Sequence, residues 1–202
     1  EPEPHSSLLL GIAPYFLLLS INGSELLLGV LGIVLLLCCS ALISGSEVAY
    51  FSLNHEDFKQ IKAEESVNAA RILKLKDQPR RLLATILISN NFINIAIVIL
   101  SDFVLQALLP PGIFEEWATA VLSLFTEPSA IQVADFGRFI SFLITVAGVT
   151  FLLVLFGEVA PKVYAKINNK QLALSMAYPL SILMTAFSPL SSLLVSSTRL
   201  IE

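Results

Sequence analysis

LLLGVLGIVLLLCCSALISGS, residues 26–46, is the stretch that decides the fold. It carries no charge over the roughly 20 residues that a helix needs to cross a hydrocarbon core about 30 Å thick. Working outward from it, residues 82–101 and 139–157 are also uncharged and of spanning length. Two further apolar stretches are interrupted: 6–23 by Pro14 and two glycines, and 172–198 by Pro179 and Pro189 among many serines. The expected fold is therefore an all-α membrane protein with three transmembrane helices, accompanied by cytoplasmic juxtamembrane or interfacial helices.

The composition agrees. Of 202 residues, 55% are hydrophobic and 14% charged, against about 25% charged in soluble domains, and the mean hydropathy is +0.81. With 16 acidic and 12 basic residues and a net charge of −4, nothing in the balance suits a polyphosphate backbone, so nucleic acid is not an expected partner. Cys38 and Cys39 are adjacent inside an apolar run, which suits neither a disulfide framework nor a zinc site. An intramembrane enzyme is not expected either, because His5 and His55 lie outside all three spans and leave no base beside a nucleophile. The acidic start, with Glu1 and Glu3, does not resemble the basic opening of a signal peptide.

Lys and Arg concentrate in short cytoplasmic loops. Lys59, Lys62, Arg71, Lys74, Lys76, Arg80 and Arg81 fall between the first two spans, which places that loop inside. Glu115, Glu116, Glu127 and Asp135 fall between the second and third, after a turn at Pro110-Pro111-Gly112, which places that loop outside. Lys162, Lys166 and Lys170 follow the third span, so the N-terminus is expected outside and the C-terminus inside. Within the inner loop, residues 54–78 read as an amphipathic helical segment lying along the membrane surface, its stripe formed by Phe58, Ile61, Ala69, Ile72 and Leu73. For 168–201, prolines 179 and 189 predict a pair of short interfacial or re-entrant helices. Gly29 and Gly32 would let another helix approach the first span closely.

Polar groups are costly in hydrocarbon, so the exceptions carry the information. The first span ends Ser40-Ala-Leu-Ile-Ser44-Gly45-Ser46-Glu47, the second holds Ser89-Asn90-Asn91-Phe92-Ile93-Asn94, and the third ends Phe156-Gly157-Glu158-Val159-Ala160-Pro161-Lys162. Asn90 and Asn94, four apart, share a helical face, whereas Asn91 points about 100° away. Ser44 and Glu47 are three apart, and Gly45 admits a neighbouring backbone. Pro161 has no amide hydrogen for the carbonyl of Gly157, which is left as a free acceptor beside the Glu158 carboxylate. Hydroxyl, amide, carbonyl and carboxylate oxygens form a set for a hard cation: Mg²⁺ in an octahedron, or Na⁺ or Ca²⁺ in a looser cage. A second reading stays open, in which the same groups only hydrogen-bond helices to one another.

Taken in order, Ser44-Gly45-Ser46-Glu47, Asn90-Asn91-x-x-Asn94 and Gly157-Glu158-x-x-Pro161-Lys162 on three successive spans resemble the membrane domain of the CorC and cyclin M (CNNM) magnesium transporter family. The resemblance covers residues 22–202 and leaves 1–21 as an N-terminal extracytoplasmic segment. It implies a homodimer in the cytoplasmic membrane that exports Mg²⁺, coupled to Na⁺ entry. It also implies a dehydrated Mg²⁺ site formed by Ser44, Asn90, Asn94, Gly157 and Glu158, with Gly45, Ser46, Glu47, Asn91, Pro161 and Lys162 in supporting or gating positions. Family members continue into paired cytoplasmic CBS modules, expected downstream of Glu202, and the long outer loop with the acidic N-terminus is similar to members associated with gliding motility. The rival from another class is a non-transporting membrane scaffold or regulatory subunit, whose polar residues only hold helices together.

Overall fold

The helices follow one another as α1 (Pro4–Phe51), α2 (His55–Ala63), α3 (Val67–Lys76), α4 (Pro79–Leu108), α5 (Ile113–Leu122), α6 (Ala130–Ile167), α7 (Asn169–Ala186) and α8 (Ser188–Arg199). This computed structural model describes residues 4–199 apart from 65, 110, 111 and 126, and side chains within 23–195. Of the N-terminal segment 1–21, residues 1–3 and all side chains lie outside the described residues, while the backbone of 4–21 continues unbroken into α1, so Pro14 does not interrupt the helix as expected. No strand occurs among those that are described.

Among the described residues three helices are long and apolar enough to cross a membrane, Gly23–Phe51 within α1, Pro79–Leu108 and Ala130–Ile167, with a fourth span if the bent pair 169–186 and 188–195 crosses as one. Each outruns its uncharged window. A helix stops where its backbone is capped, not where the hydrocarbon ends. The start of α6 shows this: Ser129 accepts from the Gln132 amide and Gln132 accepts from the Ser129 amide, a reciprocal cap that moves the start nine residues ahead of position 139. At the other end α6 continues past Glu158 and Lys162 to Ile167.

Residues 54–78 form two capped helices rather than one. Asn54 Oδ1 accepts from the Asp57 amide at 2.8 Å, Asp57 Oδ2 accepts from the Asn54 amide at 2.8 Å, and Ser66 Oγ accepts from the Ala69 amide at 3.1 Å. The stripe foreseen in the sequence has a partner in the chain. Ile61, Ala69 and Ile72 are buried with Ala173, Met176, Ala177 and Leu180 of α7 in one apolar core that also takes in Ile43 and Tyr50 of α1 and Leu82 and Ile86 of α4. Polar contacts pin it. The Tyr50 hydroxyl donates to the Ala173 carbonyl at 3.1 Å, Lys76 Nζ donates to the Tyr50 carbonyl at 2.8 Å, and Lys170 pairs with Glu64 at 2.8 Å. The Lys76 ammonium lies 5.4 Å from the Phe51 ring centre and 5.2 Å from that of Phe58, and burial holds its pKa below the usual lysine range.

Residues 168–201 form the expected pair of helices, but Pro179, one of the two prolines expected to divide them, lies inside an unbroken α7. A proline removes one hydrogen bond, and the burial of Ala173, Met176, Ala177 and Leu180 around it carries the helix through. The bend comes instead at Phe187, ahead of Pro189, where residues 169–186 and 188–195 meet at 76°.

By its contacts the chain divides into two compact units, Glu1–Leu35 with Val98–Val149, and Leu36–Ile97 with Thr150–Glu202. In the first, glycines set the packing. A Cβ added at Gly29 would fall 2.6 Å from Val104 Cγ2, one at Gly32 2.9 Å from Leu100 Cδ2, and one at Gly137 3.2 Å from the backbone of Phe114 and Glu115. The helix that closes on Gly29 and Gly32 is thus α4 of the same chain. Gly112, at φ +85°, supplies the left-handed residue that opens α5. Its neighbours Pro110 and Pro111 are outside the described residues.

Candidate cation site

Most of the buried hydroxyls lie in the second unit. Ser40, Ser44 and Ser46 on α1 and Thr85 and Ser89 on α4 are all 2% exposed or less. Two of these serve their own helix: the Ser46 hydroxyl donates to the Leu42 carbonyl at 2.6 Å and the Thr85 hydroxyl to the Arg81 carbonyl at 2.9 Å. The others face neighbouring helices or have no partner.

Ser40, Asn90, Asn94 and Glu158 form one network across α1, α4 and α6. The Ser40 hydroxyl lies 3.1 Å from Asn90 Oδ1 and 2.9 Å from Asn94 Oδ1, while Asn90 Nδ2 and Asn94 Nδ2 donate to the same Glu158 oxygen, Oε1, at 3.3 and 3.1 Å. Both amides are thus aligned, oxygens toward Ser40 and nitrogens toward the carboxylate. The i,i+4 spacing on α4 causes this, since it stacks Asn90 and Asn94 one turn apart on a single face. Asn91 is exposed, as the 100° rotation requires.

Gly157 is where α6 comes close. It is buried, and a Cβ there would sit 3.0 Å from Ser40 Oγ. Residues Leu153–Val159 wind as a π-helix, the Ala160 amide reaching back five residues to the Leu155 carbonyl. Wide turns of this kind suit a segment that runs into Pro161, which has no amide hydrogen to give the carbonyl of Gly157 and whose ring would clash with it in a regular α-helix. A second π segment, Ile144–Gly148, lies nearer the start of α6 in the first unit.

Ser44 lies one turn beyond Ser40 on the same face of α1. Its Oγ is buried and has no hydrogen-bond partner, and the same holds for Ser89 Oγ. Leaving such a group unsatisfied costs about 1–3 kcal/mol, so each needs an explanation. Gly45 is also buried, and a Cβ there would be 3.4 Å from the Pro161 carbonyl oxygen and 3.1 Å from Leu172 Cδ2. Glu47 is engaged elsewhere, paired with Lys162 at 3.1 Å and part-exposed. Among the described residues no three His, Cys, Asp or Glu side chains group together. The donor set around Glu158 is therefore mostly neutral oxygen.

Of the residues singled out in the sequence, Asn90, Asn94 and Glu158 are brought into direct contact, Gly157 stands against the network, and Ser44 is buried without a partner. Ser40 joins the network although the sequence reading gave it no role. The signal was available, because Ser40 and Ser44 are four apart, the same spacing that paired Asn90 with Asn94.

The model of the cyclin M transmembrane N-terminal domain matches residues 31–202. The chain belongs to the cyclin M transmembrane-domain family. Among curated proteins it is similar to the UPF0053 inner membrane protein YfjD of Escherichia coli (strain K12), at 28% identity over 163 residues. That alignment covers 80% of this chain and 31% of the relative's length. The three spanning helices and the polar cluster all fall within, or overlap, the segment that the cyclin M family model matches.

Proposed function

We propose that this cyclin M domain moves Mg²⁺ across the membrane through the site between α1, α4 and α6. The observation that carries the reading is the convergence of Ser40, Asn90, Asn94 and Glu158 from three helices, with the Ser44 hydroxyl buried and unpartnered one turn away. A half-turn of both amides would turn Asn90 Oδ1 and Asn94 Oδ1 toward Glu158, giving a cation two neutral oxygens and one carboxylate. The amide nitrogens would then donate to Ser40 Oγ. The Gly157 carbonyl and the Ser44 hydroxyl are the next oxygens in reach of this cluster. Stripping Mg²⁺ of water demands a carboxylate together with several well-placed oxygens, which this set provides.

The name of the Escherichia coli relative supports placing this protein in the inner membrane. The basic inner loop supports an N-out, C-in orientation. A homodimer and export driven by Na⁺ entry complete the reading.

A second reading has its own support: the four-residue network is closed by hydrogen bonds as it stands, which is also how interhelical glue is built. One experiment separates them. The thermal midpoint of the purified protein is titrated with MgCl₂ against matched NaCl and CaCl₂, beside Asn94→Ala and Glu158→Gln, and Mg²⁺ flux is followed in proteoliposomes with an internal indicator. The transport reading expects a Mg²⁺-dependent rise and flux in the native chain and neither in the variants. Absence of both in the native chain would leave the scaffold reading.

A further inference from the structure

We propose that a cavity at the inner end of α4, outside the cation site, binds a phosphate group at the depth of the lipid headgroups. It has a volume of about 450 Å³ and lies where α3, α7 and the starts of α4 and α8 meet, entirely within the second unit. Arg71, Lys74 and Arg81 line it together with the hydroxyl-bearing Ser181, Thr185 and Ser188, and none of its lining residues is acidic.

The donors are arranged for an anion. Arg81 Nη2 donates to the Ser188 hydroxyl and Nη1 to Gln78 Oε1 at 3.3 Å, while its Nε is buried and has no partner. A guanidinium nitrogen has no use except as a donor, so the Arg81 side chain at this corner of the cavity keeps unused donor capacity. Ser188 accepts from Arg81, which leaves its own proton to donate inward. Arg71 is held in place on both sides, 4.9 Å above the centre of the Tyr178 ring and donating from Nη1 to Asn68 Oδ1 at 2.8 Å, with its other nitrogens still available. Ser188 is the first residue of α8, so the positive end of that helix adds to the field. Ser181 and Thr185 spend their protons on the carbonyls of Ala177 and Ser181, at 2.7 and 2.9 Å, and shape the wall more than they donate.

Three cations, two of them arginines, a neutral hydroxyl donor and a helix start match a phosphate oxygen triad better than a carboxylate, and forked arginine donors are built for it. Depth favours a lipid as the source. Arg81 immediately precedes the uncharged stretch 82–101, where a membrane's headgroups would lie, and Leu75 and Met184 supply an apolar part of the wall. A soluble phosphate carries the same chemistry, so the test has an arm for each.

Native mass spectrometry of the chain released from nanodiscs of equal phosphatidylglycerol and phosphatidylcholine would count retained lipids. In parallel, the thermal midpoint in detergent would be followed with inorganic phosphate or pyrophosphate against matched chloride. The variants are Arg71→Gln, Arg81→Gln and Lys74→Gln, with Lys59→Gln as a same-side charge control outside the cavity. Lys74 is exposed, so its variant tests the site even if Arg81→Gln, which loses the Ser188 contact, fails to fold. Selective retention of phosphatidylglycerol, weakened about tenfold in the arginine variants and unchanged in Lys59→Gln, is the expected result, since a charge-assisted hydrogen bond is worth that factor. A midpoint rise with phosphate alone, lost in the same variants, supports the site with a soluble source. No preference in either arm, or an equal loss in Lys59→Gln, overturns the proposal.

Discussion

The two compact units both use close glycine contacts, but only in the second do side-chain hydrogen bonds join the three long helices. In the first, α1 meets α4 through Gly29 and Gly32 against the side-chain tips of Val104 and Leu100, and α5 lays its backbone on Gly137 of α6. In the second, α1, α4 and α6 meet through hydroxyls, amides and a carboxylate. Contacts of the first kind come from van der Waals fit and are worth what their geometry allows. Polar contacts in a membrane average only about 0.6 kcal/mol, and of the buried hydroxyls here only Ser40 bonds to another helix while Ser44 and Ser89 have no partner, which is little return as interhelical glue.

The largest expected effect tests that contrast at Glu158. In Glu158→Gln an Oε1 remains to accept from Asn90 and Asn94, so without divalent cation the thermal stability should change by less than about 1 kcal/mol. The stabilisation by Mg²⁺, about 2.7 kcal/mol at a hundred times the dissociation constant, should vanish together with flux. A variant that loses basal stability heavily but keeps its response to Mg²⁺ would make the cluster glue after all.

Next in size is the first unit. Gly137→Ala sets a methyl 3.2 Å from the backbone of Phe114 and Glu115, which cannot rotate away, and should cost about 1–3 kcal/mol in a denaturation midpoint. Gly32→Ala meets only the end of a leucine side chain, Leu100 Cδ2, and the gain in helix propensity of about 1 kcal/mol should offset the crowding. Neither should alter the response to Mg²⁺, and a loss of that response in Gly137→Ala would mean that the two units are not energetically separate.

Ser44→Ala sharpens the comparison through its sign. Removing a buried hydroxyl that has no partner should raise cation-free stability, by up to about 1 kcal/mol, while lowering apparent Mg²⁺ affinity. A purely structural serine would give a loss in the first measurement and no change in the second.

Much of this was legible in the sequence, for physical reasons that can be named. Absence of charge over a span length located the three long helices, and the 3.6-residue period separated Asn90 and Asn94 from Asn91 before any coordinates. Pro161 announced a backbone defect at Gly157, though not that it would take the form of π-helical turns over Leu153–Val159. Helix ends were less legible, because α6 starts at a reciprocal Ser129–Gln132 cap within a polar stretch and so begins well before its hydrophobic window. Two prolines predicted the division of 168–201 and only one marks it: the break falls just ahead of Pro189, while tertiary packing around Pro179 outweighed its local cost. Ser40 stood among the polar exceptions and shares a helical face with Ser44, yet which of the two meets Asn90 and Asn94 depends on how α1 and α4 pack, which spacing within one helix does not give.

The smallest expected effect falls on the Glu47–Lys162 pair. These side chains come from α1 and α6, just beyond Ser44 and Glu158 in sequence, so the resemblance alone makes them gating candidates. Their geometry is that of a surface pair, 3.1 Å apart with side chains 40% and 38% exposed, and such pairs contribute from nothing to about 1 kcal/mol, screened further by salt. Lys162→Gln should accordingly shift the thermal midpoint little and leave the Mg²⁺ response intact, with any change in flux shrinking as ionic strength rises. A flux loss in Lys162→Gln that persists in high salt, and that Glu47→Gln reproduces, would instead give the pair a part in transport that its exposed geometry does not suggest.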